Sequence, residues 1–273
     1  MISTLDDLLR CPKCRSPLAS DADDGATRYD CTGCHAQYPI VAGVPDLMPR
    51  DVADDPHWST WQQHLEAFQQ RRETRIESPK TVVTRLSKSG GPQQEAFARF
   101  TGISSGVVLD IGCGPGKFRS RLPAAVHYIG LDPIPLPGVD EFDFVRALAE
   151  HIPLADDSVD HVTVLSAMDH FNDCEQFLAE VGRVLAPGGQ LHIIQQVHEP
   201  AWSVRGIAHG VKDMIEDRRT KHDDEVPHHM TEFHDDDLRE LLAGSFAVVQ
   251  EQMYSISRTA PRRLFVSAVP VAA

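Results

Sequence analysis

A short glycine-rich segment, VVLDIGCGPGKF from Val107 to Phe118, constrains the fold of this chain more than any other. It starts as an apolar run and passes through an aspartate into three closely spaced glycines. An apolar run followed by glycines predicts a buried strand that ends in a tight loop. Such a loop lets the backbone approach a ligand closely, because glycine has no Cβ. The segment therefore predicts a ligand site at the end of a strand.

The spacing of these glycines differs from that of the two common phosphate-binding loops. Residues 112–116 form GxGxG, and Lys117 stands where the dinucleotide fingerprint has its third glycine. The P-loop pattern fails as well, because Ile111 replaces its first glycine and Phe118 replaces its Ser or Thr. Asp110, next to the loop, would repel a phosphate. A ligand with an ammonium group and hydroxyls suits this carboxylate better.

Apolar segments alternate with a helical pattern after Val107. VVLDIG, HYIGLD, DHVTVLS and QLHIIQ predict buried strands, and FLAEVGRVLAPGG predicts an amphipathic helix that ends at its Pro and Gly. This alternation predicts a parallel sheet with helices on both faces. FAVVQEQMYSI and RRLFVSAVPV then predict an antiparallel hairpin at the edge of the sheet.

Four motifs, in order, resemble those of class I S-adenosylmethionine-dependent methyltransferases. They are DIGCGPG, Asp132 at the end of HYIGLD, AEHIPLADDSVDHV and RVLAPGGQLHII, and they cover residues 100–198. The resemblance implies an α/β enzyme that binds S-adenosylmethionine. It also implies a doubly wound, Rossmann-like sheet of seven strands that ends in the antiparallel hairpin. This methyltransferase domain would occupy residues 96–273.

The same resemblance implies where the cofactor binds. The carboxylate of Asp132 would accept protons from the ribose hydroxyls, as an acidic residue does in dinucleotide sites. The family often has an aspartate for the adenine amine where this chain has Leu148, so Glu150 or the backbone near Ala149 would serve instead. The implied cofactor-binding residues are Asp110, Gly112, Cys113, Gly114, Gly116, Asp132, Pro133, Ala149, Glu150 and Ser166.

Three residues are candidates for a role in catalysis. A hydroxyl acceptor usually needs a base, whereas a neutral amine reacts unaided. The strand DHVTVLS leads into AMDHFND, which makes His170 the first candidate base and Asp169 a weaker one. His170 could equally start a helix and make structural hydrogen bonds only. His198 ends the next strand and faces the same crevice by topology, whereas His192 within that strand is expected in the core.

Four cysteines near the start of the chain form two matched pairs, CPKC and CTGC. Residues 15–30 separate the pairs, which fits the zinc pattern of two CxxC pairs about 15–20 residues apart. Each pair can direct two thiolates at one ion, and two pairs complete a closed tetrahedral site with a structural role. The predicted zinc ligands are Cys11, Cys14, Cys31 and Cys34. Two disulfides, unconnected thiols, or His35 in place of Cys34 are the alternatives.

The segment YPIVAGVPDLMP, Tyr38–Pro49, follows the cysteines. In this position it resembles the small zinc-ribbon proteins that activate methyltransferases in trans. The resemblance covers residues 1–50 and implies that such a module is fused here in cis.

Residues 51–95 are expected to form a linker and a helical segment. Trp58, Trp61, Leu65 and Phe68 share one helix face, which either packs the ribbon against the next domain or forms a lid. Residues 71–88 are rich in Arg and Lys. This stretch is either a solvated helix face or a patch that binds an anionic acceptor.

Residues 199–232 are expected to cover the acceptor as an insertion, with Trp202 and Met230 lining an apolar pocket. The acidic stretch 222–237 overlaps the end of this insertion and contains four histidines. It is either a solvated loop or a second metal site. These histidines are His222, His228, His229 and His234. DDDLRELL predicts a capped helix after it.

Composition restricts the function. With 26 Lys and Arg against 40 Asp and Glu, the net charge is -14, which argues against a broad nucleic-acid-binding face. No basic leader and no apolar run of about 18 residues is present, so a cytoplasmic protein without a membrane span is expected. The leading interpretation is methyl transfer to a small molecule, most plausibly at a hydroxyl oxygen. The alternatives are a ribosomal RNA base methyltransferase with a zinc-ribbon RNA module, and a non-enzymatic cofactor-binding scaffold. The sequence leaves the oligomeric state open.

Overall fold

The computed structural model describes most of the 273-residue chain. The described residues are 4–21, 25–49, 61–63, 66, 67, 70, 91–134, 139–198, 231–234, 236–257 and 261–271. Within these residues, no helix combines the length and the apolar character needed to cross a bilayer.

The first part of the chain forms a small antiparallel sheet. A short helix, α1 (Leu5–Leu8), precedes four strands that are hydrogen-bonded in chain order. The strands are β1 (Leu18–Ser20), β2 (Arg28–Cys31), β3 (Gln37–Val41) and β4 (Val44–Pro45). β1 and the first three residues of β2 lie between the two cysteine pairs.

The second sheet has seven strands in the order β10-β11-β9-β8-β5-β6-β7. Their bounds are β5 (Gly106–Ile111), β6 (Val126–Leu131), β7 (Asp143–Val145), β8 (Val159–Leu165), β9 (Leu185–Val197), β10 (Phe246–Tyr254) and β11 (Arg262–Pro270). β5 to β9 run parallel, and β11 is antiparallel to both β9 and β10. The prediction of a seven-stranded Rossmann-like sheet with a C-terminal antiparallel hairpin is confirmed.

Helices cover both faces of the large sheet. α2 (Pro92–Thr101) packs Phe97 and Phe100 on one face, against Phe118 and Phe265. α3 (Cys174–Val184) and α4 (Asp237–Ala243) bury their apolar side chains in the main core on the other face. α2 starts at Pro92, so the helix that packs on the sheet begins inside the segment that the sequence assigns to the linker.

Two details of the large sheet differ from the sequence prediction. The helix over FLAEVGRVLAPGG ends at Val184, and the chain enters β9 at Leu185, so the Pro-Gly-Gly stretch lies in a strand. A residue that precedes proline disfavours the helical conformation, which explains the early end. The short strand β7 was not predicted, because three residues carry too little periodicity to stand out.

The small sheet packs on the edge of the large sheet that β7 forms. The amide of Leu47 donates to the carbonyl of Arg146, and the amide of Arg146 donates to the carbonyl of Pro45, each at 2.9 Å. The guanidinium of Arg146 binds Asp46 at 2.7 Å. Leu8, Leu9, Tyr38 and Leu47 belong to the same buried cluster as the main core of the large sheet. The two sheets therefore share one hydrophobic core, and the small sheet covers the β7 edge.

Candidate functional site

The glycine loop after β5 has a backbone that only glycine adopts readily. Gly112, Gly114 and Gly116 have φ of +67°, +55° and +69°. A Cβ on Gly112 would lie 2.4 Å from the Cβ of Ala167, far inside contact distance. The loop after β5 therefore packs directly against the turn after β8, and both conformation and packing require glycine at 112.

Asp132 holds the glycine loop against the end of β6. Its Oδ2 accepts a hydrogen bond from the amide of Gly114 and its Oδ1 one from the amide of Ile134, each at 2.9 Å. A carboxylate has about four acceptor positions, so these two bonds leave capacity for ligand hydroxyls. The carbonyl of the next residue, Pro133, accepts from the Nε of Arg146 at 3.0 Å. The predicted bonds from Asp132 to a ribose stay a prediction.

Asp110 lies beneath the glycine loop and ties three strands together. The hydroxyl of Tyr128 on β6 donates to its Oδ2 at 2.6 Å, and the hydroxyl of Thr163 on β8 donates to its Oδ1 at 2.7 Å. The carboxylate is 2% exposed, and burial raises its pKa to about 6. This structural network was not predicted, because its donors come from distant parts of the sequence. A contact from Asp110 to the ligand stays a prediction.

Glu150 holds the start of α3. Its Oε1 accepts hydrogen bonds from the amides of Asn172 and Asp173, at 2.7 and 3.2 Å. Burial raises the pKa of this carboxyl group. Leu148 and Ala149 are buried beside it. With one side-chain oxygen bound to α3, the backbone at Ala149 fits the predicted adenine contact better than the side chain of Glu150 does.

The turn after β8 brings together the predicted acceptor residues. Ser166 has a left-handed φ of +55°, and within the described chain its buried hydroxyl has no hydrogen-bond partner. Met168–His170 then form a single 3-10 turn in which Asp169 is buried and His170 is half-buried. A non-glycine residue in this conformation at the end of a strand often marks a functional site.

Segments from two other regions reach this turn. The indole of Trp61 donates to the backbone carbonyl of His170 at 3.0 Å, and the amide of Thr231 donates to the carbonyl of Asp169 at 3.2 Å. Trp61 is buried at this turn, and packing against the next domain and a lid both stay predictions for its helix. The other residues of that helix face, Trp58, Leu65 and Phe68, lie outside the described residues. So do Trp202, Met230, His222, His228, His229 and the basic stretch 71–88.

The remaining histidines differ in burial. His198 is exposed, and its ring centroid lies 6.4 Å from that of His234, which binds Asp237. His192 is fully buried, as expected, and contacts Ser267 at 2.8 Å. Burial lowers its pKa to about 3. His192 is therefore neutral near pH 7 and is separate from the candidate site.

The four cysteine sulfurs converge at one point of the small sheet. All four lie within 4.8 Å of one another, with Cys14 and Cys31 3.4 Å apart and Cys11 and Cys34 3.7 Å apart. A tetrahedral site with Zn–S bonds of about 2.3 Å has sulfurs about 3.8 Å apart, so this set fits a zinc ion. The distances are too long for the disulfide alternative, since S–S bonds are about 2.05 Å. In the part of the chain that the structure describes, no other such group of ligands occurs.

The two cysteine pairs have matching backbones. Arg15 follows one pair with φ of +61° and donates its amide to the carbonyl of Cys11, and His35 follows the other pair with φ of +59° and donates its amide to Cys31. His35 thus occupies the turn position that Arg15 occupies in the other pair, and its side chain is exposed. The hydroxyl of Tyr38 contacts the sulfur of Cys11 at 3.2 Å and supports the cluster from outside.

Part of the large sheet matches a known family. Residues 109–193 match the family model described as a methyltransferase domain. Methyltransferase GfsG of Streptomyces halstedii is 33% identical to this chain over 123 residues, which are 40% of this chain and 44% of the relative.

Two further proteins resemble this chain. The phthiotriol/phenolphthiotriol dimycocerosates methyltransferase of Mycobacterium leprae is 38% identical over 103 residues, or 33% of this chain and 37% of the relative. The chain thus spans less than half the length of either curated relative. The 1,6-didemethyltoxoflavin-N1-methyltransferase of Burkholderia thailandensis, solved with 1,6-didemethyltoxoflavin and S-adenosylhomocysteine, covers 89% of this chain and 98% of its own at 15% identity. Its TM-score of 0.53 shows a shared fold.

Proposed function

We propose that this protein transfers a methyl group from S-adenosylmethionine to a hydroxyl oxygen of a small-molecule acceptor. The observation that carries the proposal is the contact between Gly112 and Ala167. It joins the glycine loop after β5 to the turn that carries His170. Groups that suit the cofactor and groups that suit the acceptor therefore lie close together at the carboxyl ends of parallel strands, where ligands of open α/β sheets bind.

The residues around the glycine loop fit S-adenosylmethionine. The three glycines give the loop its left-handed turns, the carboxylate of Asp132 can accept ribose hydroxyl protons, and the buried hydroxyl of Ser166 has no partner in the described chain. Bound there, the cofactor would supply an electrophilic methyl group. The protein's part is to align the acceptor with that methyl and to exclude water.

His170 is the proposed base for the acceptor hydroxyl. Its backbone is fixed at both ends, because its amide donates to the carbonyl of Ala167 and its carbonyl accepts from Trp61. A fixed backbone restricts the positions that the imidazole can reach, and a positioned base contributes about 10²–10⁴-fold to a proton transfer. Asp169 and His198 are the next candidates.

The names of related proteins favour a small-molecule acceptor. One relative is named for phthiotriol and phenolphthiotriol dimycocerosates, and one protein of the same fold is named for 1,6-didemethyltoxoflavin. The second name specifies a nitrogen, N1, so the names support a small-molecule acceptor, and the proposed oxygen acceptor rests on His170.

The four-cysteine cluster is proposed to hold one structural zinc ion. A site with four protein ligands has no open coordination position and so does no chemistry itself. The ion would stabilise the small sheet, which packs on the β7 edge as a zinc ribbon fused in cis.

The ribbon is poorly suited to RNA. Arg10 donates to backbone carbonyls, Arg15 binds Glu180 at 2.9 Å, and Arg28 binds Asp30 at 3.2 Å. Arginines that are already bound within the protein have less capacity for phosphates, which such a module needs. This disfavours the ribosomal RNA alternative. The alternative of a non-enzymatic cofactor-binding scaffold gives no reason for the fixed turn at His170.

The first test measures cofactor binding by titration calorimetry with S-adenosylhomocysteine. Asp132→Asn should weaken binding by about 1.5–3 kcal/mol, the scale of hydrogen bonds to a charged group. Asp160→Asn is the matched control, because Asp160 also accepts a backbone amide hydrogen bond, from Val107 at the opposite end of the sheet. Equal affinity of the two variants would place the cofactor elsewhere.

The second test measures transfer of a labelled methyl group to a small-molecule extract of the source cells and to total RNA. We expect labelled small molecules, and a loss of kcat of about 10²–10⁴-fold in His170→Ala with unchanged affinity for S-adenosylhomocysteine. The two backbone hydrogen bonds of His170 survive this substitution, so the loss reports on the imidazole. The loss should shrink at high pH, where the acceptor ionises by itself. Labelled RNA alone, or normal kcat in the variant on an aliphatic alcohol, would contradict this role.

A further inference from the structure

Arg263 lies at the end of the sheet where the parallel strands finish. β11 is antiparallel to β9, and Arg263, in its second position, pairs with Gln196 of β9 and Tyr254 of β10. The amide of Ser166 donates to the carbonyl of Ile194 at 2.7 Å, so the end of β8 lies beside the same stretch of β9. Arg263 is therefore at the crevice end of the sheet, two strands away from Ser166.

The side chain of Arg263 shares a face of the sheet with an aromatic cluster that reaches the glycine loop. Side chains two residues apart on a strand lie on the same face, so Arg263 is beside Phe265. The ring of Phe265 lies 5.4 Å from that of Phe97, which in turn lies 5.4 Å from that of Phe118. Phe118 follows the glycine loop directly. Tyr254 stacks on Phe265 with ring centroids 4.9 Å apart. A buried aromatic cluster thus connects the end of the glycine loop to Arg263.

Arg263 is a partly buried cation without a carboxylate partner. Within the described residues its buried Nε has no hydrogen-bond partner, and no ion pair involves its guanidinium. Burial lowers the pKa of Arg263, although the guanidinium stays charged at neutral pH. Arg146, Arg183 and Arg239 in contrast each bind a carboxylate. Buried polar groups normally have a partner, and at a ligand site the ligand can supply it.

The charge of the whole protein gives an anionic acceptor no general attraction, so a local cation would have to attract it. The net charge is -14, so the overall field repels anions instead of steering them in. The Nε and one terminal nitrogen of a guanidinium form a planar fork that matches two oxygens of a carboxylate or phosphate.

We propose that Arg263 binds an oxyanion of the methyl acceptor, a carboxylate or a phosphate, and so selects acidic acceptors. This inference rests on the proposed methyl transfer. Arg263 is a positioning residue in this proposal, because it holds the acceptor at a group remote from the reacting oxygen.

The experiment separates a small-molecule extract of the source cells on an anion-exchange resin. The retained and unretained pools are each incubated with full-length protein and methyl-labelled S-adenosylmethionine. A third arm treats the retained pool with phosphatase, which distinguishes phosphates from carboxylates. The variants are Arg263→Gln, Arg263→Lys and Arg262→Gln. Arg262→Gln removes the same charge at the adjacent position, whose side chain lies on the opposite face of the strand.

We expect labelled product from the retained pool. In Arg263→Gln, KM for this acceptor should rise roughly tenfold to a hundredfold, the scale of a lost charge-assisted bond, with kcat changed much less. Arg263→Lys should restore part of the loss, and Arg262→Gln should behave as wild type. Affinity for S-adenosylhomocysteine should be equal in all variants, which also shows that they fold.

Several results would overturn the inference and leave methyl transfer intact. They are product from the unretained pool only, an unchanged KM in Arg263→Gln, or equal effects of the Arg262 and Arg263 substitutions. Failure of the wild-type protein to label either pool would instead contradict the proposed function, and the inference with it.

Discussion

The packing of the glycine loop against the turn after β8, through Gly112 and Ala167, can be tested by adding a single methyl group. Gly112→Ala places a Cβ 2.4 Å from the Cβ of Ala167, whereas carbon atoms pack at about 3.5–4.0 Å. Gly102 at the end of α2 is a matched control. Its φ is +63°, nearly that of Gly112 at +67°, and a Cβ there would meet nothing within 4 Å.

The expected effects follow from these two environments. An alanine in the left-handed conformation costs about 1–2 kcal/mol of stability at either position. At position 112 the overpacked methyl adds about 1–3 kcal/mol. Gly112→Ala should therefore lower the free energy of unfolding by about 2–5 kcal/mol, and Gly102→Ala by about 1–2 kcal/mol. Ala167→Gly removes the atom that clashes, so the double variant should regain most of the difference.

Urea unfolding of the four variants gives these free energies, and calorimetry with S-adenosylhomocysteine gives the binding effect. We expect Gly112→Ala to weaken binding, because the loop and the turn after β8 must separate, and Gly102→Ala to bind normally. A double-mutant cycle for residues 112 and 167 should show a coupling energy of about 1–3 kcal/mol. Gly112→Ala and Gly102→Ala could instead lose the same free energy of unfolding, with no coupling between residues 112 and 167. That result would refute the reasoning that the two loops are packed as one unit.

Two further predictions concern the zinc ligands and the buried histidine. Purified protein should contain about one zinc per chain by elemental analysis, and Cys14→Ser should lose the metal and unfold the ribbon, since structural zinc contributes directly to folding; a metal-free, fully folded wild-type protein would contradict this. For His192, the pKa falls from 6.5 in the unfolded chain to about 3 in the fold, so only the unfolded chain gains the proton as the pH drops below 6.5. The neutral His192 therefore contributes its full stability above pH 6.5. Between pH 6.5 and pH 3 the free energy of unfolding falls by up to about 1.4 kcal/mol per pH unit. Urea unfolding at several pH values should show a smaller loss in His192→Gln than in wild type, whereas identical slopes would mean that His192 is not held neutral.

The large sheet could be predicted because its signals are local. Each long strand is a continuous apolar run, and its length and flanking glycines distinguish it from a helix. The three-residue strand β7 could not be predicted, because it is stabilised by pairing with β6 and by the ribbon beside it. The end of α3 was misplaced because Pro and Gly often end a helix, whereas here the strand β9 continues across them, with pairing to β8 at Leu185 and again from Gln190.

The candidate site was less predictable, because its contacts join distant residues. The glycines and Asp132 stand out in sequence, but nothing local shows that Tyr128 and Thr163 hold Asp110, or that Trp61 reaches the carbonyl of His170. Arg263 looks like any other arginine in sequence, and only its burial without a partner distinguishes it.

The docking of the ribbon on the β7 edge affects the order in which this chain can fold on the ribosome. Arg15 pairs with Glu180, a contact between residues 165 positions apart, and the ribbon backbone bonds with residues near 146 and 154. The ribbon leaves the ribosome long before these partners are made. Its core-facing leucines then remain uncovered for most of synthesis, while chain elongation proceeds at about 5–20 residues per second. Contacts of such long range slow the final docking step. Nascent chains that stop before β8 should therefore carry a ribbon with an exposed apolar face, a surface that chaperones recognise.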